Sequence, residues 1–183
     1  MDIASLRNLI AAIRAKAPDR PLIMFGSASS LGTFPDLGES DGWIRNSNDA
    51  DFVLDPWDEE LAWSIHNEFG LEKPYDRLTG HHADIVRPIA YENFPPGWQA
   101  RLVPLAGCPG VMCLEPHDMA VAKLFAGRPK DIGLLTDLIR MGRLDPVEIQ
   151  RRLREMEMME KWIRLTHARL RECAAAGGKP LPP

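Results

Sequence analysis

The sequence predicts a mixed α/β (α+β) fold, with a small sheet in the first 114 residues and a helical region after it. Two observations predict this. Short apolar runs at 22–25, 52–54, 83–86 and 111–114 are each bounded by glycine or proline punctuation, the mark of short buried strands. From Pro116 onward the apolar residues recur at helical spacing, with glycines where helices should stop.

The elements follow in order. Ile3, Leu6, Ile10 and Ile13 share one helical face over residues 2–16, and Pro18 lies beyond its end. Leu22-Ile23-Met24-Phe25 is a buried strand stopped by Gly26. Residues 28–48, rich in Ser, Gly, Asn and Asp, predict a long loop, and long loops in compact domains are often functional. A second strand runs through Phe52-Val53-Leu54 to Asp55-Pro56, and a helix over 58–69 ends at Gly70. Ala83 to Val86 form a third strand closed by Pro88. Residues 91–110 are loop with one short strand near Leu102-Val103, and Val111–Leu114 is another strand. Helices are expected over 117–126 and 130–141, then from Pro146 to about Ala176 with a break near Met156. The organisation predicted is therefore 1–114, 115–176, and a disordered tail at 177–183.

At 183 residues, 45% apolar and 26% charged, the composition is that of an ordinary globular protein. No run of about eighteen apolar residues suggests a membrane span, and the N-terminus lacks the apolar core of a signal peptide. Three cysteines without zinc-type spacing read as reduced thiols, so a cytoplasmic location is expected. Net charge is −4 but unevenly spread: residues 1–119 hold 18 acidic and 9 basic side chains, residues 120–183 hold 8 and 13. An acidic half attracts cations, and a basic half attracts phosphates or acids.

The sharpest motif is Asp-Ala-Asp-Phe-Val-Leu at 49–54. On a strand Asp49 and Asp51 face the same way, with Cα atoms about 6.6 Å apart. Like charges that close raise each other's pKa unless a cation lies between them. A third strand acid, Asp84, follows in His-Ala-Asp-Ile-Val-Arg, with His82 on the same face. Upstream, Gly26-Ser27 offers a turn with backbone N–H groups and a hydroxyl suited to phosphate. Trp43, in the long loop, is placed to stack on a base.

Gly26-Ser27, Asp49-x-Asp51 and a later strand Asp84 resemble the polymerase β nucleotidyltransferase superfamily. The segment Ala122-Lys123-Leu124-Phe125-Ala126-Gly127-Arg128-Pro129-Lys130-Asp131 is similar to small bacterial nucleotidyltransferase-like proteins that include the AbiE-type toxins. The resemblance covers roughly 20–141 and departs in one place, a Ser27–Asp49 gap longer than is usual, which implies an inserted loop at about 31–47.

The resemblance implies a nucleotidyltransferase fold and transfer of a nucleoside monophosphate from an NTP to a hydroxyl of RNA, protein or a small molecule. It implies Mg²⁺ or Mn²⁺ on Asp49, Asp51 and Asp84, with Asp84 helping to activate the nucleophile. Gly26, Ser27, Lys123, Arg128, Lys130 and Asp131 are then the nucleotide-binding residues, and an antitoxin-type partner is a further implication. A silent nucleotide-binding or antitoxin-type module with the same fold, or a helical interaction protein built on 146–176, would fit the same residues.

Overall fold

The apolar runs form five strands: β1 (Leu22–Phe25), β2 (Asp49–Leu54), β3 (His82–Ile85), β4 (Val103–Pro104) and β5 (Val111–Cys113). In the computed structural model, which describes residues 1–39 and 47–181, they make one mixed sheet of order β3-β2-β1-β5-β4. β1 runs antiparallel to β2 and parallel to β5, while β2 is parallel to β3. Burial explains the run composition: Leu22, Met24, Ala50, Phe52, Val53, Ala83 and Cys113 are all sealed from solvent.

The chain forms two compact units, one of residues 1–90 and 101–115, the other of 91–100 and 116–183. In the first, helix α1 (Ile3–Lys16) starts where the Asp2 carboxylate accepts from the Ser5 amide at 2.7 Å. It buries Leu6, Leu9, Ile10 and Ile13 at helical spacing. Helix α2 (Glu59–Phe69) is capped by Asp58, buries Ala62, Ile65 and Phe69, and packs beside β3. A short helix α3 (Pro74–Thr79) follows, unread in the sequence because it buries no residue and so shows no apolar stripe.

The predicted loop at 28–48 is more ordered at its start than its composition suggested. Ser27–Gly32 and Pro35–Gly38 are 3-10 turns, burying Ala28, Leu31 and Leu37. Trp43 and residues 40–46 of the inserted segment lie outside the described residues.

The second unit holds α4 (Pro116–Ala126), α5 (Pro129–Arg140), α6 (Pro146–Arg154) and α7 (Glu160–Ala176). The break expected near Met156 is the step from α6 to α7. Apolar stripes of Leu134, Leu135, Leu138 and Ile139 on α5, with Leu170 and Cys173 on α7, close its core. Inside it the Arg152 guanidinium donates to Asp118 at 2.6 Å, both side chains almost fully buried. After α7 the Gly177 and Lys179 amides return to the Cys173 and Ala174 carbonyls. No described helix is long and apolar enough to cross a membrane.

Candidate functional site

Strand register builds the site. Parallel pairing sets Asp51 opposite Asp84 and Asp49 opposite His82, so the three acids share one sheet face. Asp49, Asp51 and Asp84 each offer a carboxylate oxygen, and these lie within 4.8 Å of one another. All three are half-buried, open enough to admit a ligand and enclosed enough to strengthen charge interactions. Their neighbours along the strands, Ala50, Phe52 and Ala83, face the other way and are fully buried, which anchors the acids from behind.

Gly26 completes the arrangement. Antiparallel pairing of Phe25 with Asp51 brings the residue after β1 against that carboxylate. Gly26 has φ +70° and ψ −162°, a conformation close to glycine-only, and a Cβ there would stand 1.9 Å from Asp51 Oδ2. The carboxylate therefore rests on bare backbone. Ser27 opens the first 3-10 turn and is half-buried, so its hydroxyl stands one residue from that contact. The turn is tied back by Ser29 Oγ, which donates to the Gly26 carbonyl at 2.8 Å.

Sequence reading passed over Ser47, whose hydroxyl donates to Asp49 Oδ1 and fixes its orientation. A serine two residues before an acid is the signal, though in a Ser-rich loop it carries little weight. His82 turns toward α3, its Nδ1 3.4 Å from Asp76 Oδ1.

The remaining predicted residues belong to the second unit, where they make a cluster of their own. Lys123, buried on α4, places its Nζ 2.9 Å from Asp131 Oδ1. Arg128, the residue before α5, grips the same carboxylate twice, Nε to Oδ2 at 2.6 Å and Nη2 to Oδ1 at 3.2 Å. Burial alone would push the Asp131 carboxyl up, but hydrogen bonds from Arg128 and Lys123 outweigh it and hold it below the ordinary range. Lys130 is exposed.

A mixed five-stranded sheet with three acids converging on adjacent strands beside a glycine turn defines a nucleotidyltransferase-like protein. Residues 2–169 match the family described as "Nucleotidyltransferase of unknown function (DUF6036)", and the chain belongs to that family. No curated protein and no solved structure matches it.

Proposed function

We propose that the protein is a divalent-metal-dependent nucleotidyltransferase that moves a nucleoside monophosphate from an NTP to a hydroxyl and releases pyrophosphate. The convergence of the Asp49, Asp51 and Asp84 oxygens within 4.8 Å carries this reading. The donor set fits Mg²⁺ or Mn²⁺: hard carboxylate oxygens, few in number, leaving room for water and phosphate. Three carboxylates this close repel one another without a cation, whereas a structural role would favour neutral side chains. When bound, the metal supplies charge neutralisation of the phosphate oxygens and acidity to an attacking hydroxyl.

Each residue has a part. Asp49 and Asp51 hold the cation site, with Ser47 and Gly26 fixing their orientations. Asp84 accepts the proton of the acceptor hydroxyl, whose oxygen bonds the α-phosphorus as the bond from that phosphorus to the bridging oxygen breaks and pyrophosphate leaves. The Ser27 hydroxyl and its turn bind phosphate. Lys123 and Arg128 are further proposed phosphate ligands, for which a triphosphate would compete with the Asp131 carboxylate.

That competition favours one second reading, a silent nucleotide-binding or antitoxin-type module whose cations stay locked on Asp131. Calorimetry with Mn²⁺ and each NTP, beside transfer of label from an α-labelled NTP to RNA, protein or a small alcohol, separates the two. Transfer lost in Asp51→Asn supports catalysis, binding without transfer supports the silent module, and Mn²⁺ and NTP binding both unchanged in Asp51→Asn overturns the metal-site reading and favours the helical interaction protein. A toxin role rests on the likeness of 122–131 to AbiE-type proteins, and growth arrest by the wild type but not by Asp51→Asn is its expected sign.

A further inference from the structure

The first unit holds an open cleft of about 470 Å³, within the size range of small-molecule sites. Ile85, which lines it, alternates with Asp84 along β3, so the cleft opens on the sheet face opposite the three aspartates. Helix α2 contributes Glu59, Ala62, Trp63 and His66, a stripe at i, i+3, i+4 and i+7. Arg87, two residues after Ile85, and Trp57, from the turn between β2 and α2, complete the lining.

One carboxylate sets the order within the cleft. Glu59 accepts from the Trp57 indole N–H at 3.1 Å through Oε2 and from Arg87 Nη2 through Oε1. An indole and a guanidinium from two separate segments are thereby held in place before any ligand arrives. The Trp63 and His66 rings stand at 86° with centroids 5.9 Å apart. They make a corner in which a flat molecule can lie on one ring and meet the edge of the other. Trp63 nonetheless stays 59% exposed, an indole face that the fold leaves open toward the cleft.

These features select the occupant. Four planar groups line the cleft, two indoles, an imidazole and a guanidinium, over an apolar floor of Ala62 and Ile85, so a flat ring fits it. Glu59 and Arg87, both exposed, pair with each other across it. Neither a phosphate nor an ammonium therefore finds an unpaired counter-charge there. The remaining Arg87 N–H groups, the Glu59 lone pairs and the His66 ring nitrogens would go unmatched by a plain hydrocarbon ring. A flat, uncharged ring with donors and acceptors around its edge is a nucleobase. We propose that the Trp57–Trp63–His66–Arg87 cleft binds the base of a nucleoside or nucleotide, as a second site separate from the aspartate cluster. Binding there needs neither the divalent metal nor the transfer reaction.

The test is a saturation-transfer NMR titration of the full chain with adenosine, guanosine, cytidine and uridine, without divalent metal. Purines should bind more tightly than pyrimidines, because they cover more of a ring face. Trp63→Ala should weaken adenosine about 5- to 150-fold, the range for loss of one base-stacking aromatic. Trp63→Phe, which keeps a flat face, should recover most of that loss. Leu78→Ala, at an equally open apolar residue outside the cleft, and Asp51→Asn, on the other sheet face, should bind adenosine as the wild type does. Because Glu59 neutralises Arg87, AMP should bind no better than adenosine, and Glu59→Gln should create a preference for AMP. Adenosine affinity unchanged in Trp63→Ala would overturn the proposal, as would no detectable binding of any of the four nucleosides. Choline bound more tightly than adenosine and lost in Trp63→Ala would overturn it in favour of an ammonium cage. N-acetyltyrosinamide bound as tightly as adenosine would overturn it in favour of an aromatic side chain of a protein partner.

Discussion

Gly26→Ala is the substitution that separates the site from its scaffold. Two effects add at this position. The backbone conformation, φ +70° with ψ −162°, costs a side-chain-bearing residue of order 1–3 kcal/mol. The new Cβ would also stand 1.9 Å from Asp51 Oδ2, where carbon and oxygen normally keep more than 3 Å, so the carboxylate has to leave its place by over an ångström. Gly80 provides the control, because its φ is +74° yet a Cβ there meets nothing within 4 Å. Gly80→Ala should cost about 1 kcal/mol and leave the site intact. Gly26→Ala should cost about 2 kcal/mol, lowering the melting temperature by roughly 4–8 °C. It should also weaken Mn²⁺ binding by at least about tenfold, because a ligand held 1 Å out of place loses much of its coordination. Differential scanning fluorimetry and calorimetric titration with Mn²⁺ measure the two quantities on the same samples. If Gly26→Ala and Gly80→Ala bind Mn²⁺ alike, the contact between Gly26 and Asp51 does not position the acid and the reasoning fails.

Asp84→Asn should lower Mn²⁺ affinity while leaving metal-free stability unchanged or slightly higher, since one of three mutually repelling charges is gone; denaturation with and without Mn²⁺ reads both, and a stability loss in both conditions would count against a metal role. Asp131→Asn should cost about 3–5 kcal/mol, because it strands the buried Lys123 ammonium, and at a urea slope of ~2 kcal/mol/M this moves the midpoint by ~2 M. The folded Asp131 pKa is depressed, so its contribution is complete above the ordinary value of 3.8 and is lost as pH falls through the lower folded value; the urea midpoint of Asp131→Asn should therefore fall less on acidification than that of the wild type. All three cysteines are buried and burial raises their thiol pKa, that of Cys113 to about 12, so a thiol reagent at pH 8 should react slowly with the native chain and fully after denaturation; rapid native labelling of Cys113 would contradict its place between β1 and the Gly32 turn.

What sequence could carry was whatever depends on one element at a time. Alternation along β2 put Asp49 and Asp51 on a common face before any tertiary information existed. Apolar runs gave the strands, and glycine or proline stops gave their ends, because burial on both faces demands continuous apolar residues. Helix α3 stayed invisible for the converse reason, having no buried face to mark it. The 3-10 turns at 27–38 were hidden by a serine-rich composition that carries no period.

The properties that make the acids a site belong to pairs of elements. Asp84 joins Asp51 only because β2 and β3 pair in parallel at one register; a slip by one residue would send it to the opposite face. Gly26 reads in sequence as a stop, but its steric role follows from the antiparallel pairing of Phe25 with Asp51. Likewise Lys123 and Asp131 stand eight residues apart across the Gly127 turn, a spacing with no helical meaning until the angle between α4 and α5 is set. Chemistry in this chain is thus specified by residue type within elements and switched on by register and packing between them. It follows that substitutions shifting β3 by one residue should abolish metal binding even with all three aspartates retained.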